Sequence, residues 1–563
     1  MMSLTLTRLL RLACVKGSFL LVGLFRMRPH FFPSTFFIGR STMLLGLGLA
    51  FISCSHNNYF QPDARVGPGS AAELPASADT VRAVAGRHYS EHSAFYRLVW
   101  GRHYREVWAA PVTVPVLRLA TAVPGGLKAG KPGGGYQSIS MTLAGPGGRE
   151  FALRALDKEP SRTLPKVLRH TFVLNVVRDA TSAAMPFGAF TVPPLASAAG
   201  VPHSRPRLVY IRPDETGLGT MSQRFQGKLA LLEEKFDEIS SRPPDLAGAG
   251  KFVTSEGMLE KVYASPTHFI DQPAFLRARL FDAWLGDWDR HEGQWDWAEF
   301  KQKDGQVRYR AIPKDRDQVY FRFDDGLVPW LASRPFIAPK FHTFGPEYGY
   351  VPGLLNQARF IDQRALARMT RADFRRVAAD LQRRLPDTLI DRAIRLLPPA
   401  VYALEGAGIT AALKTRRQTL PQFADAYYLR LARKPVLGGT AQAERFVVRR
   451  YADSTTVQVF SGALSKLNRG DSLQFQRTYY PTETKSLTLE SLGGNDIFEI
   501  RGNGRKLIPL LLYGGEGTDQ LRLSGSQTSL QLYDSPADLV AEGAPRVSLP
   551  QKKRLAYNRT IDD

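Results

Sequence analysis

Cysteine is nearly absent: the chain of 563 residues has two, Cys14 and Cys54. A scaffold stapled by internal disulfides is thereby excluded. Long apolar runs are missing too. Nothing approaches the ~20 residues that cross ~30 Å of hydrocarbon as a helix. Mean hydropathy is −0.22, and apolar clustering is confined to the first 53 residues, which argues against a helical membrane protein. Acidic residues are scarce, with Asp+Glu 52 against Lys+Arg 75 and a net charge of +23. Such a balance points toward nucleic acid or an anionic membrane surface. No basic stripe interleaved with aromatics appears, so nucleic acid is not expected as a partner. What is there is a core: 44% hydrophobic and 10% aromatic residues exclude wholesale disorder, a collagen and a coiled coil. The length accommodates two to four domains.

Part of the basic excess belongs to targeting. Residues 1–53 hold Arg8, Arg11, Lys16, Arg26, Arg28 and Arg40 and no acid. Then comes Arg40-Ser-Thr-Met43-LLGLGLAFIS-Cys54, a positive flank, a short apolar run and a small residue before cysteine. This pattern predicts a bacterial lipoprotein signal over 1–53, with lipidation at Cys54. Phe51 stands where leucine is usual in such a signal, and left uncleaved the same segment would be a membrane anchor. The mature chain would contain no thiol, which suits an oxidising periplasm. The expected location is the periplasmic face of a bacterial membrane, the outer one, with a lipid anchor as the membrane contact.

Residues 54–88 are polar and rich in proline, glycine and alanine, and read as a tether. Residues 89–211 show short strands and turns, such as 139–143 and 151–156 joined by Pro146-Gly-Gly148, and read as a β-rich small lobe. Residues 212–434 read as a larger helical lobe. Within it, Phe225, Leu229, Leu232 and Phe236 have helical spacing over 221–240. Thr370-Arg-Ala-Asp373 caps a helix whose buried stripe is Phe374, Val377 and Leu381. Pro386-Asp387 starts another, and Pro421 lies near the start of a third. Residues 435–563 alternate apolar and polar, as in Glu444-Arg-Phe-Val-Val-Arg-Arg450, and predict an all-β domain, a β-sandwich or short β-solenoid. No repeat longer than a turn motif is visible. The fold class is α+β.

One constellation could carry chemistry. Gly286-Asp-Trp-Asp289-Arg290-His291-Glu-Gly-Gln294 is followed by Lys314-Asp315-Arg-Asp317. Apolar residues lead up to both, so each polar cluster should sit where a buried element ends. Carboxylates gathered at a cleft are what phosphoryl transfer requires. One orients the attacking hydroxyl, and others hold Mg²⁺ through hard oxygen ligands. As a purely structural arrangement, the same residues would form a salt-bridged corner and a solvated turn.

Asp289-Arg290-His291 with the downstream Asp315-Arg-Asp317 resembles the catalytic and metal loops of atypical kinases. These include phosphatidylinositol 4-kinases, HipA-type kinases and secretory-pathway kinases. The resemblance implies a bilobal kinase-like core, with Asp289 as catalytic carboxylate and His291 ordering the loop. Gln294 would take a metal-ligand place usually held by asparagine, and Asp315 the main Mg²⁺ position, with Asp317 a competing assignment. Gly133, Gly134 and Gly135 would then be a phosphate loop, and Arg154 or Lys158 the basic residue facing nucleotide phosphates. No glutamate on a following helix is evident to pair with Lys158, so a pseudokinase stays open.

The stretches Gly133-Gly-Gly-Tyr-Gln-Ser138, residues 281–297 and 484–498 also resemble the middle region of large Bacteroidetes cell-envelope proteins. Those link a metallophosphoesterase to an outer-membrane barrel, and neither part is recognisable here. The function expected is Mg²⁺-dependent phosphoryl transfer from a nucleotide by an envelope lipoprotein. Because the periplasm is poor in ATP, the alternative is a non-catalytic scaffold that binds an envelope protein or polymer and associates with outer-membrane proteins. In the C-terminal part, Gly514-Gly-Glu-Gly517-Thr-Asp519 fits the nonapeptide of calcium-binding β-rolls, and the turn at Asp496 fits it partly. With two such turns only, Ca²⁺ binding at Asp496 and Asp519 would be weak.

Overall fold

The computed structural model describes residues 59–541, apart from 69, 71, 134–137, 236–245, 462–471, 504–506, 526–528 and 534–538. The signal segment, Cys54, Gly134 and Gly135 therefore lie outside the described residues. The protein is α+β. Its first large sheet has five antiparallel strands, in the order Lys128–Gly133, Ser138–Ala144, Glu150–Lys158, Leu229–Glu234 and Arg207–Tyr210. Strand alternation divides Glu150–Lys158 between two environments. Leu153 and Ala155 enter a core with Met141, Leu143 and Leu232, while Leu156 joins Leu231 in the main core behind the sheet. Arg154 and Lys158 share the face of Leu156, and this places both cations toward the rest of the molecule.

Three expectations fail here. Residues 221–240 do not form one helix: after a single turn, Ser222–Phe225, the chain becomes the strand Leu229–Glu234. Leu229, Ala230, Leu231 and Leu232 are all buried, so both faces of the strand need apolar residues. Such a run satisfies helical spacing by coincidence. The sheet also extends past the boundary at 211, since Leu229–Glu234 lies between Glu150–Lys158 and Arg207–Tyr210. Nor do residues 59–88 trail as a tether. Gln61 donates to the carbonyls of Val84 and Ala85, Ala64 is fully buried, and Thr80–Ala83 pairs with Val112–Pro115.

The second unit is a four-stranded sheet, Phe252–Thr254, Trp295–Lys301, Val307–Pro313 and His268–Ile270 in that order. The helix Gln272–Leu285 enters it, almost wholly buried along its last three turns, and ends at Gly286 with φ 74°. A Cβ there would stand 2.8 Å from the Phe344 ring. Helices Arg371–Arg384, Ala407–Gln418 and Leu420–Ala432 pack around it. The first has the capping box of Thr370 and Asp373. Trp284 donates to the Leu413 carbonyl at 2.9 Å, and Arg279 forks onto Asp362 at 2.7 and 3.0 Å inside the core.

The C-terminal residues form two mostly parallel sheets. One runs Val436–Gly438, Leu487–Glu490, Leu510–Tyr513 and Leu530–Tyr533. The other includes Glu444–Arg450, Ile497–Arg501, Asp519–Ser524 and Leu539–Ala541, and carries the antiparallel hairpin Thr455–Ser461 and Ser472–Tyr479 on its edge. Leu487 lies opposite Leu510 and Ile497 opposite Gln520, so the chain stacks on itself one coil at a time. This spatial repeat escaped the sequence because the coils share side-chain size and little identity. Leu489, Phe498, Ile500, Leu510 and Leu512 fill the interior.

Candidate functional site

Strand Glu150–Lys158 ends at one wall of a cleft, and the turn after strand Val307–Pro313 forms the other. Arg154, Leu156, Lys158, Leu231 and Glu233 line this cleft together with Asp315, Arg316 and Asp317. The Lys158 ammonium pairs with the Asp317 carboxylate, and Arg154 with Glu233. Burial opposes the charge of Lys158, but Asp317, Asp315 and Asp289 outweigh it and hold its pKa above the usual lysine value. Burial likewise opposes the charge of Arg154, and Asp315, Glu233 and Asp317 overcome it. Asp289, Asp315, Asp317 and the two cations therefore act on one region, although residues some 160 apart in sequence supply them.

Asp315 has a positive φ of 51°, uncommon for a residue with a side chain. Such backbone costs on the order of 1–3 kcal/mol and persists only where surroundings impose it. Here Arg290 imposes it. Fully buried, the Arg290 guanidinium donates to Asp282 at 2.9 Å, to the Lys314 carbonyl at 2.6 Å and to the Gln294 carbonyl at 3.3 Å. It thereby ties the loop after helix Gln272–Leu285 to the turn that carries Asp315. Arg316 reaches the other oxygen of Asp282 at 2.7 Å. Asp287, 1% exposed, lies 3.6 Å from Arg290, and burial pushes its carboxyl up to about 7 against that charge.

Asp289 sits just beyond this buried network. Its Oδ1 is buried and accepts no hydrogen bond, and Asp315 forms no ion pair or hydrogen bond through its side chain among the described residues. His291 accepts the Gly293 N–H on Nδ1 at 3.0 Å and caps the short turn Glu292–Gln294. Gln294 meets the turn that carries Asp315 through its backbone, where the Lys314 N–H donates to its carbonyl at 2.9 Å. No contact joins its amide to Asp315. Gly133 pairs with Ser140, itself opposite Arg154, so it lies two strands from that cation on the same face. Among the described residues no three His, Cys, Asp or Glu side chains group closely enough to hold a metal by themselves.

The helix Phe172–Asp179 gives Lys158 no acid. Its Asp179 forks onto Arg105 at 2.6 Å, and Glu159 takes Arg178. Sequence reasoning missed Glu233, Asp282 and Lys340, whereas Asp287 belongs to the segment whose structural reading is a salt-bridged corner and does lie 3.6 Å from Arg290. Asp282 precedes that segment, and its signal was a carboxylate placed among core-forming residues. Lys340 gave none. It is 2% exposed, its ammonium 5.3 Å over the Trp288 ring and 5.0 Å over Phe341, and burial lowers it to about 8 while Asp289 opposes.

No protein-family model matches the sequence, and no curated protein matches it. Among solved structures, the chain is similar to the Helicobacter pylori proinflammatory kinase CtkA, with 9% identity, a TM-score of 0.26, and coverage of 52% of this chain and 95% of that one. That score carries no argument. The functional reading rests on the cleft.

Proposed function

We propose that the protein is an atypical kinase-like phosphotransferase, which transfers a phosphoryl group from a nucleotide in the cleft between Lys158 and Asp315. The observation that carries this reading is the convergence of Lys158 with Asp317, Asp315 and Asp289. Phosphoryl transfer needs cations for phosphate oxygens, carboxylates for a divalent ion and a carboxylate beside the acceptor hydroxyl, all within one cleft. Mg²⁺ fits the donor set. Asp315 offers a carboxylate with no protein partner, and Asp317 a second that Lys158 now neutralises. Two carboxylates suffice because Mg²⁺ commonly takes its remaining ligands from phosphates and water. Bound there, the ion would supply charge neutralisation for the phosphates. Lys158 and Arg154 bind the nucleotide phosphates, and Asp289 accepts the proton of the acceptor hydroxyl. The tie through Arg290 keeps Asp289 and Asp315 in register.

The second reading is a non-catalytic envelope module that binds a protein or polymer partner through the same cleft. It is favoured by the absence, among the described residues, of a helix-borne acid paired with Lys158 and by the pairing of Lys158 with Asp317. In both readings the protein is an exported lipoprotein held to the outer membrane by Cys54. Globomycin-sensitive processing, lost in Cys54→Ala, tests that export.

Calorimetric titration of the full chain separates the two. Mg²⁺ and ATP together should bind and raise the melting temperature more than either alone. Asp315→Asn should abolish the synergy. Asp289→Asn should keep binding and lower transfer by about 10²–10⁴-fold. No binding of Mg²⁺ with ATP, GTP or pyrophosphate at millimolar concentration would leave the non-catalytic module as the account.

A further inference from the structure

Two short helices far apart in sequence pack side by side and turn apolar side chains to the outside. In Ala94–Trp100, Phe95 is 75% and Leu98 69% exposed. In Leu327–Ala332, Leu327 is 65% exposed and Trp330 and Leu331 are about half exposed. Phe336, in the turn that brings the Ala338 N–H back to the Ala332 carbonyl, is 79% exposed. Positions three and four apart share one face of a helix, so each set forms an outward stripe. Nearly half of the large apolar side chains exposed among the described residues fall in these two helices and the turn after the second. That is a patch, and not the ordinary scatter of single apolar residues over a surface.

The two stripes are fixed relative to each other. The first helix ends at Gly101, φ 94°, and the second follows Gly326, where a Cβ would stand 2.1 Å from the Gly101 nitrogen. Glycine at both positions lets the backbones touch. Beside them Asp325 accepts the His103 backbone N–H at 2.7 Å and meets the His103 ring at Nδ1 at 2.6 Å. What covers the patch is indicated by the chain that precedes the described residues. Residues 43–53 are the apolar run of the expected anchor, and Cys54 is five residues before Tyr59. Five residues reach at most about 18 Å. The Tyr59 ring lies 6.4 Å from that of Tyr89, the Tyr89 carbonyl accepts from Arg105 at 3.1 Å, and the same guanidinium lies 5.5 Å from the Tyr96 ring. Tyr96 adjoins Phe95, so the anchored end of the chain leaves the body beside the first helix of the patch. Composition agrees: Trp330 carries the Arg334 guanidinium 4.4 Å over its ring, and an amphipathic ring next to an arginine suits the boundary between headgroups and acyl chains.

Resting on the reading of this protein as anchored at Cys54, we propose that the face formed by helices 94–100 and 327–332 with Phe336 docks on the lipid bilayer. Its leucine and aromatic side chains enter the headgroup and acyl boundary while the lipid on Cys54 holds the chain end. One lipid alone would leave the body free to tumble about its attachment, whereas an apolar face adds the second signal that stable membrane association requires. Residues 318–326 join this face to the turn at Asp315–Asp317, so docking also sets where the cleft stands above the membrane.

The experiment uses the full chain reconstituted in vesicles of phosphatidylethanolamine and phosphatidylglycerol with brominated acyl chains. Flotation of the vesicles reads the anchor, and quenching of tryptophan emission reads the face. Trp330 is the one exposed tryptophan of seven: Trp108, Trp284, Trp288, Trp295 and Trp297 are buried and Trp100 is half-buried. The difference between wild type and Trp330→Phe therefore isolates its signal. Seated about 5–10 Å into the boundary, Trp330 should lose about half of its emission or more to the bromines. Leu98→Glu combined with Leu331→Glu should still float, lose that quenching, and melt at the wild-type temperature before reconstitution, as exposed positions allow. A wild type that floats with Trp330 unquenched would overturn the docking face alone, and a dimer in sedimentation that the double variant abolishes would then give the face to a second copy. A lowered melting temperature in the double variant would overturn it too, by showing the leucines to be packed. A wild type that does not float would instead overturn the anchored reading, and this proposal with it.

Discussion

Replacing Arg290 with alanine is the sharpest structural test of how the two loops are held. The guanidinium is completely buried, pairs with Asp282 at 2.9 Å, and donates to carbonyls at 2.6 and 3.3 Å. Removing one member of a buried pair costs about 3–5 kcal/mol, because the remaining charge is left uncompensated. Asp282 keeps Arg316 at 2.7 Å, which favours the lower half of that range. The Lys314 carbonyl, left without this donor, adds ~1–3 kcal/mol unless water reaches it, whereas the Gln294 carbonyl keeps the Lys314 N–H. A working value is about 4 kcal/mol. For a cooperative unit of roughly 350 residues at about 2.1 cal/mol/K per residue, that lowers the melting temperature by about 5 °C. Calorimetry on wild type and Arg290→Ala reads it directly. Arg290→Lys keeps the charge but cannot reach Asp282 and both carbonyls, so it should lose about half as much. A shift under 1 °C for Arg290→Ala, or none for Arg290→Lys, would refute the view that this side chain ties the loops together. Mg²⁺–ATP affinity should fall in both variants, since Asp289 and Asp315 lose their common register.

Three further outcomes follow from other groups. Burial holds the Asp287 carboxyl near 7 in the folded protein, whereas it ionises near 4 when unfolded. The native state therefore keeps the extra proton, and its contribution to stability is full below pH 4 and is lost as pH rises through 7. Asp287→Asn should gain in urea midpoint over the wild type at pH 8 relative to pH 5. Asp496 and Asp519 each commit one oxygen to a backbone N–H, at 2.7 and 2.8 Å, so millimolar Ca²⁺ should move the melting temperature by less than ~1 °C. Asp519→Ala should nonetheless destabilise the C-terminal coils by about 1–3 kcal/mol in denaturant titrations, by orphaning the buried Asp496 N–H. Gly286→Ala, which places a Cβ against Phe344 at a positive φ, should cost about 1–3 kcal/mol in the same measurement.

Local signals were legible where one face of an element met one environment. The Thr370–Asp373 cap, the alternation over 444–450 and the strand pair around Pro146 all appear where pattern placed them. Leu229–Glu234 was not legible as a strand, because its burial on both faces erases the period of two that distinguishes strand from helix. The order of Lys158, Asp289 and Asp315 along the chain was enough to nominate them. Their partners were not, since Glu233, Asp282 and Lys340 matter only through contacts made after the chain has folded. The packing of residues 59–88 escaped notice because polar, proline-rich composition says nothing about backbone hydrogen bonds to a distant segment.

The coiled C-terminal stack has a consequence for how the molecule comes apart. At one end it is bolted to the helical unit: Arg371 bridges to Glu483 at 3.1 Å, Lys485 N–H donates to the Arg433 carbonyl, and Arg477 reaches the Ala367 carbonyl. From there each coil touches only the one before and the one after, so cohesion is a sum of nearest-neighbour terms. Fraying should begin at the distal coil and run inward toward the bolted end, as a zipper opens, while the cleft at Lys158 stays intact. The same arithmetic makes the stack extensible, since adding or deleting a whole coil exchanges one equivalent interface for another and leaves the cleft unaware of the change.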